Sequence, residues 1–364
     1  MSRIVDIAVR RFSAPLVQPF VTARRRATSL EGVLVSLRDD DGRVGWGEAA
    51  TSWAVTGESA ESVRAVVEGP IAEILRGADA DDPGLVASIA DAVVGNSAAR
   101  AAVDTARWDL VAQRLDRPLA RALGGDATPL AVRTDLTLSV APVRELLDAA
   151  RAGASFEALK VKVGPDAVAS RDAVLSLRRE LGATVRLRVD VNQGWSAQEA
   201  IAVIRHWEDA GADIEWVEQP TRAGDLAALA SVTAATRTPI LADEGVWDLD
   251  DLSALIDLRA ADAINIKLAK CAGLTAALEL ARRAESAGIG VVVGTMLESA
   301  VGTAAGASVA AAVAPHAIHD LDGGLLTAAS PVLGGPTSFG PTIELLDSPG
   351  LGIRGLAETV GVSA

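Results

Sequence analysis

The chain has one cysteine, Cys271, so it cannot close an internal disulfide, and a reducing, cytoplasmic home is expected. Lys270, Ala272 and Gly273 around it include no histidine base, which reads as a structural thiol. Histidine is scarce too: His206, His316 and His319 are all there are, and none falls among the acidic positions below, which argues against zinc. A basic run is missing. Arg24-Arg25-Arg26 is the nearest thing to one, and the formal charge is −14, so nucleic acid is excluded as an expected partner. No charged-then-apolar leader opens MSRIVDIAVRRFSAPL, and no apolar run reads as a membrane span. Ser299–Ala314 comes nearest, but it is short and Ala/Gly-rich, which predicts a buried helix.

What is present is ample core material: 364 residues, 49% of them hydrophobic. IVDIAVRRF and EGVLVSLRDDDGRVGWGEA read as strands, the second folded at Asp41-Gly42. Helical spacing takes over from Glu58 to Leu123, with Ser97 as the expected cap of SAARAAVDTARWDLVAQRL. Gly124-Gly125 ends that unit. Then eight β-rich runs alternate with amphipathic segments: 136–140, 158–163, 185–191, 214–219, 239–244, 263–268, 288–295 and 317–323. Such a series predicts an α/β fold, a (β/α)₈-type barrel of parallel strands, with an α+β capping domain. The expected boundaries are 1–125 for the cap, 126–324 for the barrel and 325–364 for a tail returning to the cap.

Polar residues recur at the C-terminal ends of these runs, where barrel active sites are built. They are Lys160 and Lys162, Asp190 and Asn192, Glu218, Asp243 and Glu244, Lys267, and Asp320 and Asp322. A single acid after a strand is commonly a helix cap. Three acids spaced by single βα units (218 − 190 = 28; 243 − 218 = 25) are better read as a hard-cation site. Asp190, Glu218 and Asp243 are the expected ligands, of Mg²⁺ first and Mn²⁺ as a substitute. Lys162 and Lys267 lie on opposite sides of the predicted barrel and are the expected acid–base pair. Their basicity at neutral pH requires lowered pKa values, from the metal and the neighbouring lysine.

These motifs together, KVK (160–162), RVDVNQGW, WVEQP, LADE and NIK (265–267), resemble the enolase superfamily in its muconate-lactonizing subgroup. That resemblance implies a lysine or histidine base working with Mg²⁺. GWGEA (45–49) and AAVDTARWDL (101–110) extend the resemblance into the cap. RTDLTLSV, GTMLESAVG and HDLDGG are similar to the dipeptide epimerases, L-Ala-D/L-Glu epimerases among them. This finer resemblance implies a dipeptide substrate whose ammonium meets Asp320 and Asp322. It implies further contacts from Arg25, toward an acidic side chain, and from Thr137, Lys160, Met296 and Glu298. It places Trp53 in the loop that closes over the substrate, and a homo-oligomer is expected. Succinylbenzoate synthases, N-acylamino acid racemases and cycloisomerases share the scaffold. A barrel that binds metal or ligand without catalysis is the alternative of another class.

Overall fold

The computed structural model describes residues 3–22, 26–126, 130–337 and 340–358, and the backbone of 361–363. Three antiparallel strands open the chain: β1 (Ile4–Val21), β2 (Arg26–Asp39) and β3 (Val44–Ala50). The hairpin between β2 and β3 turns at Gly42, whose φ of 86° suits glycine. The long helix Ser97–Arg114 packs on β3. Contact is close because a Cβ on Gly47 would collide with the Ala102 carbonyl, and one on Gly45 with that of Ala106. The abundance of small residues in this helix therefore has a packing cause. Its cap differs from expectation: Asn96, at φ 48°, precedes the helix, and Ser97 is its first residue. The carboxylate of Glu58 instead accepts from the buried Ala98 and Ala99 amides of the first turn, each at 3.0 Å.

The second unit alternates strand and helix. Its strands are β4 (Ala131–Thr134), β5 (Leu136–Leu138), β6 (Ala158–Lys162), β7 (Arg186–Asp190), β8 (Ile214–Glu218), β9 (Ile240–Ala242), β10 (Ala263–Lys267), β11 (Gly290–Gly294) and β12 (Ile318–His319). All eight predicted runs contain one. β5 to β11 form a continuous parallel sheet in sequential order. Closure comes from short pieces: Gly294 bridges Asp320 in parallel, β12 pairs with β4, and β4 runs on through Asp135 into β5. β6 is buried throughout and β7 at all but its first residue, charged side chains included, so Lys160, Lys162, Arg188 and Asp190 must find partners inside the barrel. Seven strands lead into barrel helices; β12 leads instead into a short 3₁₀ turn, Asp322–Leu326. Ala300–Val313 is buried almost throughout, and no helix among the described residues is long and apolar enough to cross a membrane.

The last strands are β13 (Val332–Gly334), β14 (Thr342–Glu344), β15 (Ile353–Leu356) and β16 (Gly361–Ser363). β14 pairs with β4 of the barrel, and β16 pairs with β1 of the cap. The tail thus crosses back over the junction.

Candidate active site

The strand-end acids are not helix caps. Capping along the barrel is done by residues further on: Asp166, Ser196, Asp225 and Asp248. Asp190 and Glu218 are instead register partners on adjacent strands, and Asp243 follows β9 directly. All three are buried. The backbone is forced into the left-handed region just after two of these ends, at Asn192 (φ 46°), Gln193 (67°) and Gln219 (37°). Such strain in non-glycine residues persists where surrounding bonds over-determine it. Here Gln219 is fixed by its own side chain, whose Oε1 accepts from the Asp243 and Gly245 amides at 2.9 and 3.0 Å.

The lysines lie on top of the acids. Lys160 Nζ is 2.7 Å from Glu218, 2.8 Å from Asp320 and 3.3 Å from Asp190. Lys162 Nζ donates to Asp190 at 2.5 Å and to Asn192 at 3.2 Å. Lys267 Nζ donates to Asp243 Oδ2 at 2.7 Å. Lys162 and Lys267 come from β6 and β10, four strands apart in the ring, and both line the cleft at the barrel mouth. Thr137, Asp243, Glu244, Met296, Asp320 and Asp322 line it too. The cap adds an apolar wall of Phe20, Ala54 and Val55. Phe20 offers its ring to the Lys162 ammonium at 5.7 Å.

Charge is unbalanced here. Six carboxylates (Asp190, Glu218, Asp243, Glu244, Asp320, Asp322) face four ammonium groups (Lys160, Lys162, Lys267, Lys270), a surplus of two negative charges if all ionise. Burial pushes Glu218 up to about 7, against the pull of Lys160. It also raises Glu244, with Asp243 and Asp190 adding to the rise, and Asp322, to about 6, with Asp320 adding. Burial works against the charge on Lys267 as well, but Asp243 overcomes it and holds the ammonium firmly protonated. Lys160 pulls the other way, and the lowering that a base requires calls in addition for a metal's charge beside it. A divalent cation would cancel the surplus. The Glu244 Oε2 atom, buried without a hydrogen-bond partner, fits the same picture. The donor set of Asp190, Glu218 and Asp243 therefore suits a hard divalent ion, which would take oxygens now bonded to Lys160, Lys162 and Lys267.

A second acidic trio, Asp135, Asp320 and Asp322, brings one oxygen from each within 4.8 Å of the others. We favour the first trio for a metal. Asp135 does not line the cleft and already holds Arg188 at 2.7 Å, while Asp322 accepts from the Thr137 amide at 2.6 Å. Asp320 and Asp322 face the cleft, and neither caps the 3₁₀ turn beside them.

Some expected residues are placed differently. Glu298 is not among the cleft-lining residues; its Oε1 accepts from the Met296 amide at 3.0 Å, beneath the wall that Met296 forms. Arg25 lies outside the described residues. Three residues have no counterpart among the expected ones. Lys270 is buried, 2.8 Å from Asp243 Oδ1, and donates to the Val246 and Asn265 carbonyls. Asn265 Nδ2 joins Glu218 to Asp320, at 3.1 Å each. Asp135 anchors Arg188, which also stacks on Trp216 at 3.8 Å. In the sequence, the KxxK spacing of Lys267 and Lys270 points to the first of them, while Asn265 and Asp135 stand inside the NIK and RTDLTLSV motifs without a role of their own.

Known proteins resemble this chain in sequence and in structure. The mandelate racemase/muconate lactonizing enzyme N-terminal domain family matches residues 4–124, and the enolase C-terminal domain-like family matches residues 142–358. An L-Ala-D/L-Glu epimerase of Clostridium acetobutylicum is 38% identical over 97% of this chain and 99% of that protein. The substrate-liganded structure of the L-Ala-D/L-Glu epimerase from Bacillus subtilis matches with a TM-score of 0.94 at 38% identity, covering 98% of this chain and 99% of that one. A dipeptide epimerase from Enterococcus faecalis, complexed with Mg and L-Leu-L-Tyr, matches at 0.92 and 32% identity, covering 97% and 99%.

Proposed function

The chain belongs to the mandelate racemase/muconate lactonizing enzyme family of the enolase superfamily, and from that premise we propose that it epimerises the C-terminal residue of a dipeptide, L-Ala-D/L-Glu first. The observation that carries this reading is the pairing of two features in one cleft. Lys162 and Lys267 face it from opposite strands, and the carboxylates of Asp320 and Asp322 line it.

One lysine takes the α-proton from one face, and the other returns a proton from the opposite face, which inverts the centre. Mg²⁺ on Asp190, Glu218 and Asp243, with Mn²⁺ as a substitute, would supply Lewis-acid stabilisation of the charge that develops on the substrate carboxylate. Lys160 sits between the acidic trio and Asp320 and keeps these two negative groups at a fixed spacing. Asp320 and Asp322 pair the free ammonium of the substrate through charge-assisted hydrogen bonds. Thr137 orients Asp322 through its amide. Phe20, Val55 and Met296 exclude water around the reacting carbon. Arg25, on the segment between β1 and β2, selects an acidic second side chain. The lone, buried Cys271 supports a cytoplasmic setting, since the chain makes no use of internal disulfides.

The test is a comparison of kcat/KM for Ala-Glu, Ala-Leu, Ala-Phe and N-acylated amino acids with Mg²⁺ present. Ala-Glu is expected to lead. An apolar dipeptide in the lead would leave an epimerase of other specificity. N-acylated amino acids ahead of every free dipeptide would overturn the dipeptide assignment.

A further inference from the structure

Two buried carboxyls outside the reacting cleft remain without a role. Glu48 belongs to β3 of the cap, and Glu298 to the barrel segment after β11. Glu48 reaches across the junction to the start of the helix Ala300–Val313. It accepts from the Ser299 amide at 2.9 Å, the Gly302 amide at 3.0 Å and the Ser299 hydroxyl. Glu298 crowds the same glycine, since a Cβ on Gly302 would collide with Glu298 Oε2. Both side chains are almost wholly buried. The charged groups facing Glu298 are Glu48 from β3 and Lys267 from β10; the helix Ala300–Val313 contains no charged residue. Lys267 is engaged by Asp243 at 2.7 Å. Two carboxylates crowded together in so dry a place cannot both hold a charge cheaply.

We infer that Glu48 and Glu298 carry one proton between them, and that the pair acts as a latch joining the cap to the cleft-lining segment Thr295–Leu297. Glu48 at the helix start is the ionised partner, because three amide and hydroxyl donors converge on it. Glu298 is the protonated one; burial first, then the Glu48 charge, push it up to about 8. Loss of the proton to solvent sets two negative charges against each other across the junction. Met296 and Leu297, directly before Glu298, form part of the cleft wall and would shift with it. Glu298 is thus a positioning residue, acting on substrate through the segment it anchors. The latch does not depend on the dipeptide reading; only its effect on KM does.

The sign follows from the raised affinity for a proton. In the unfolded chain Glu298 ionises near 4.5, and in the folded chain near 8. Stability is therefore full below about 4.5 and falls as pH rises, until the loss is complete above about 8. The test measures the melting temperature of the full chain against pH, for the natural protein and for Glu298→Gln, whose amide keeps the shape but cannot ionise. Glu298→Gln should match the natural protein near pH 4.5 and exceed it by about 5 °C near pH 9. Glu48→Gln removes the repulsion from the other side and should also flatten the profile, which keeps the test available if the first variant misfolds. An infrared difference spectrum should show a protonated carboxyl at neutral pH in the natural protein that is missing in Glu298→Gln. With Ala-Glu as substrate, KM of the natural protein should rise through the same pH range, and that of Glu298→Gln should not. Parallel melting profiles with no protonated carboxyl in the difference spectrum would overturn the latch.

Discussion

The barrel mouth and the cap meet at one cleft but are built from opposite materials. At the mouth, lysines and acids crowd together on strand ends, nearly all buried and joined to one another by ion pairs and hydrogen bonds. The cap contributes Phe20, Thr22, Ala54 and Val55, from the end of β1 and from the loop after β3. Beside them stands Trp53, 76% exposed. The lysines and acids of the mouth therefore sit on a scaffold that cannot easily shift them. The cap residues at the cleft sit where sequence can change at little structural cost. One reaction with variable substrates is the expected product of that division.

Removing charge at the mouth should give the largest effects. Chelation should abolish activity and Mg²⁺ should restore it. Glu218→Gln should lower kcat/KM by roughly 10²–10³-fold, the equivalent of several kcal/mol of lost stabilisation. Full turnover in metal-free buffer would show that the acidic trio serves another purpose. The ammonium pocket comes next. N-acetylating the dipeptide leaves Asp320 and Asp322 without their partner, at about 2–5 kcal/mol. Asp322→Asn should shrink that penalty, and a penalty unchanged in the variant would place the ammonium elsewhere.

Much of the mouth was legible in the sequence because strand ends are legible. Each βα unit announces its strand by a β-rich run and carries a charged residue at that run's C-terminal end, so Asp190, Glu218, Asp243 and Lys267 could be lined up without coordinates. Side-chain direction was not legible. Glu298 stands two residues past Met296, and its carboxyl accepts from the Met296 amide and feels the Glu48 charge without lining the cleft. Lys270 looks like an ordinary helix residue, yet the single turn Leu268–Cys271 swings it back onto Asp243. Asp135 falls at the one-residue break between β4 and β5, which no pattern of alternation reveals. The cap of the helix Ser97–Arg114 was missed because its donors are met by Glu58, some forty residues earlier.

The cap should yield in stability before it yields in chemistry. Gly47→Ala drives a Cβ into the Ala102 carbonyl, and backbone cannot move aside as a side chain can. The expected cost is about 1–3 kcal/mol, read by denaturant unfolding. A neutral result would mean that β3 and the helix are less tightly apposed. Trp53→Ala should have the smallest effect. Its stability change should stay within about 0.5 kcal/mol, since the ring is exposed. Its KM values for different second residues should shift by a few fold while kcat holds. A large loss of kcat would erase the contrast between mouth and cap.

The central claim is that Lys162 and Lys267 serve opposite faces of one carbon. The most direct measurement follows solvent deuterium into the α-position of the Glu residue, starting separately from L-Ala-L-Glu and L-Ala-D-Glu, in the natural protein and in Lys162→Ala and Lys267→Ala. The natural protein should label and interconvert both epimers. Each variant should stop interconversion and keep exchange, at most, with the single epimer whose α-proton faces the remaining lysine. Interconversion that survives the loss of either lysine would contradict the account.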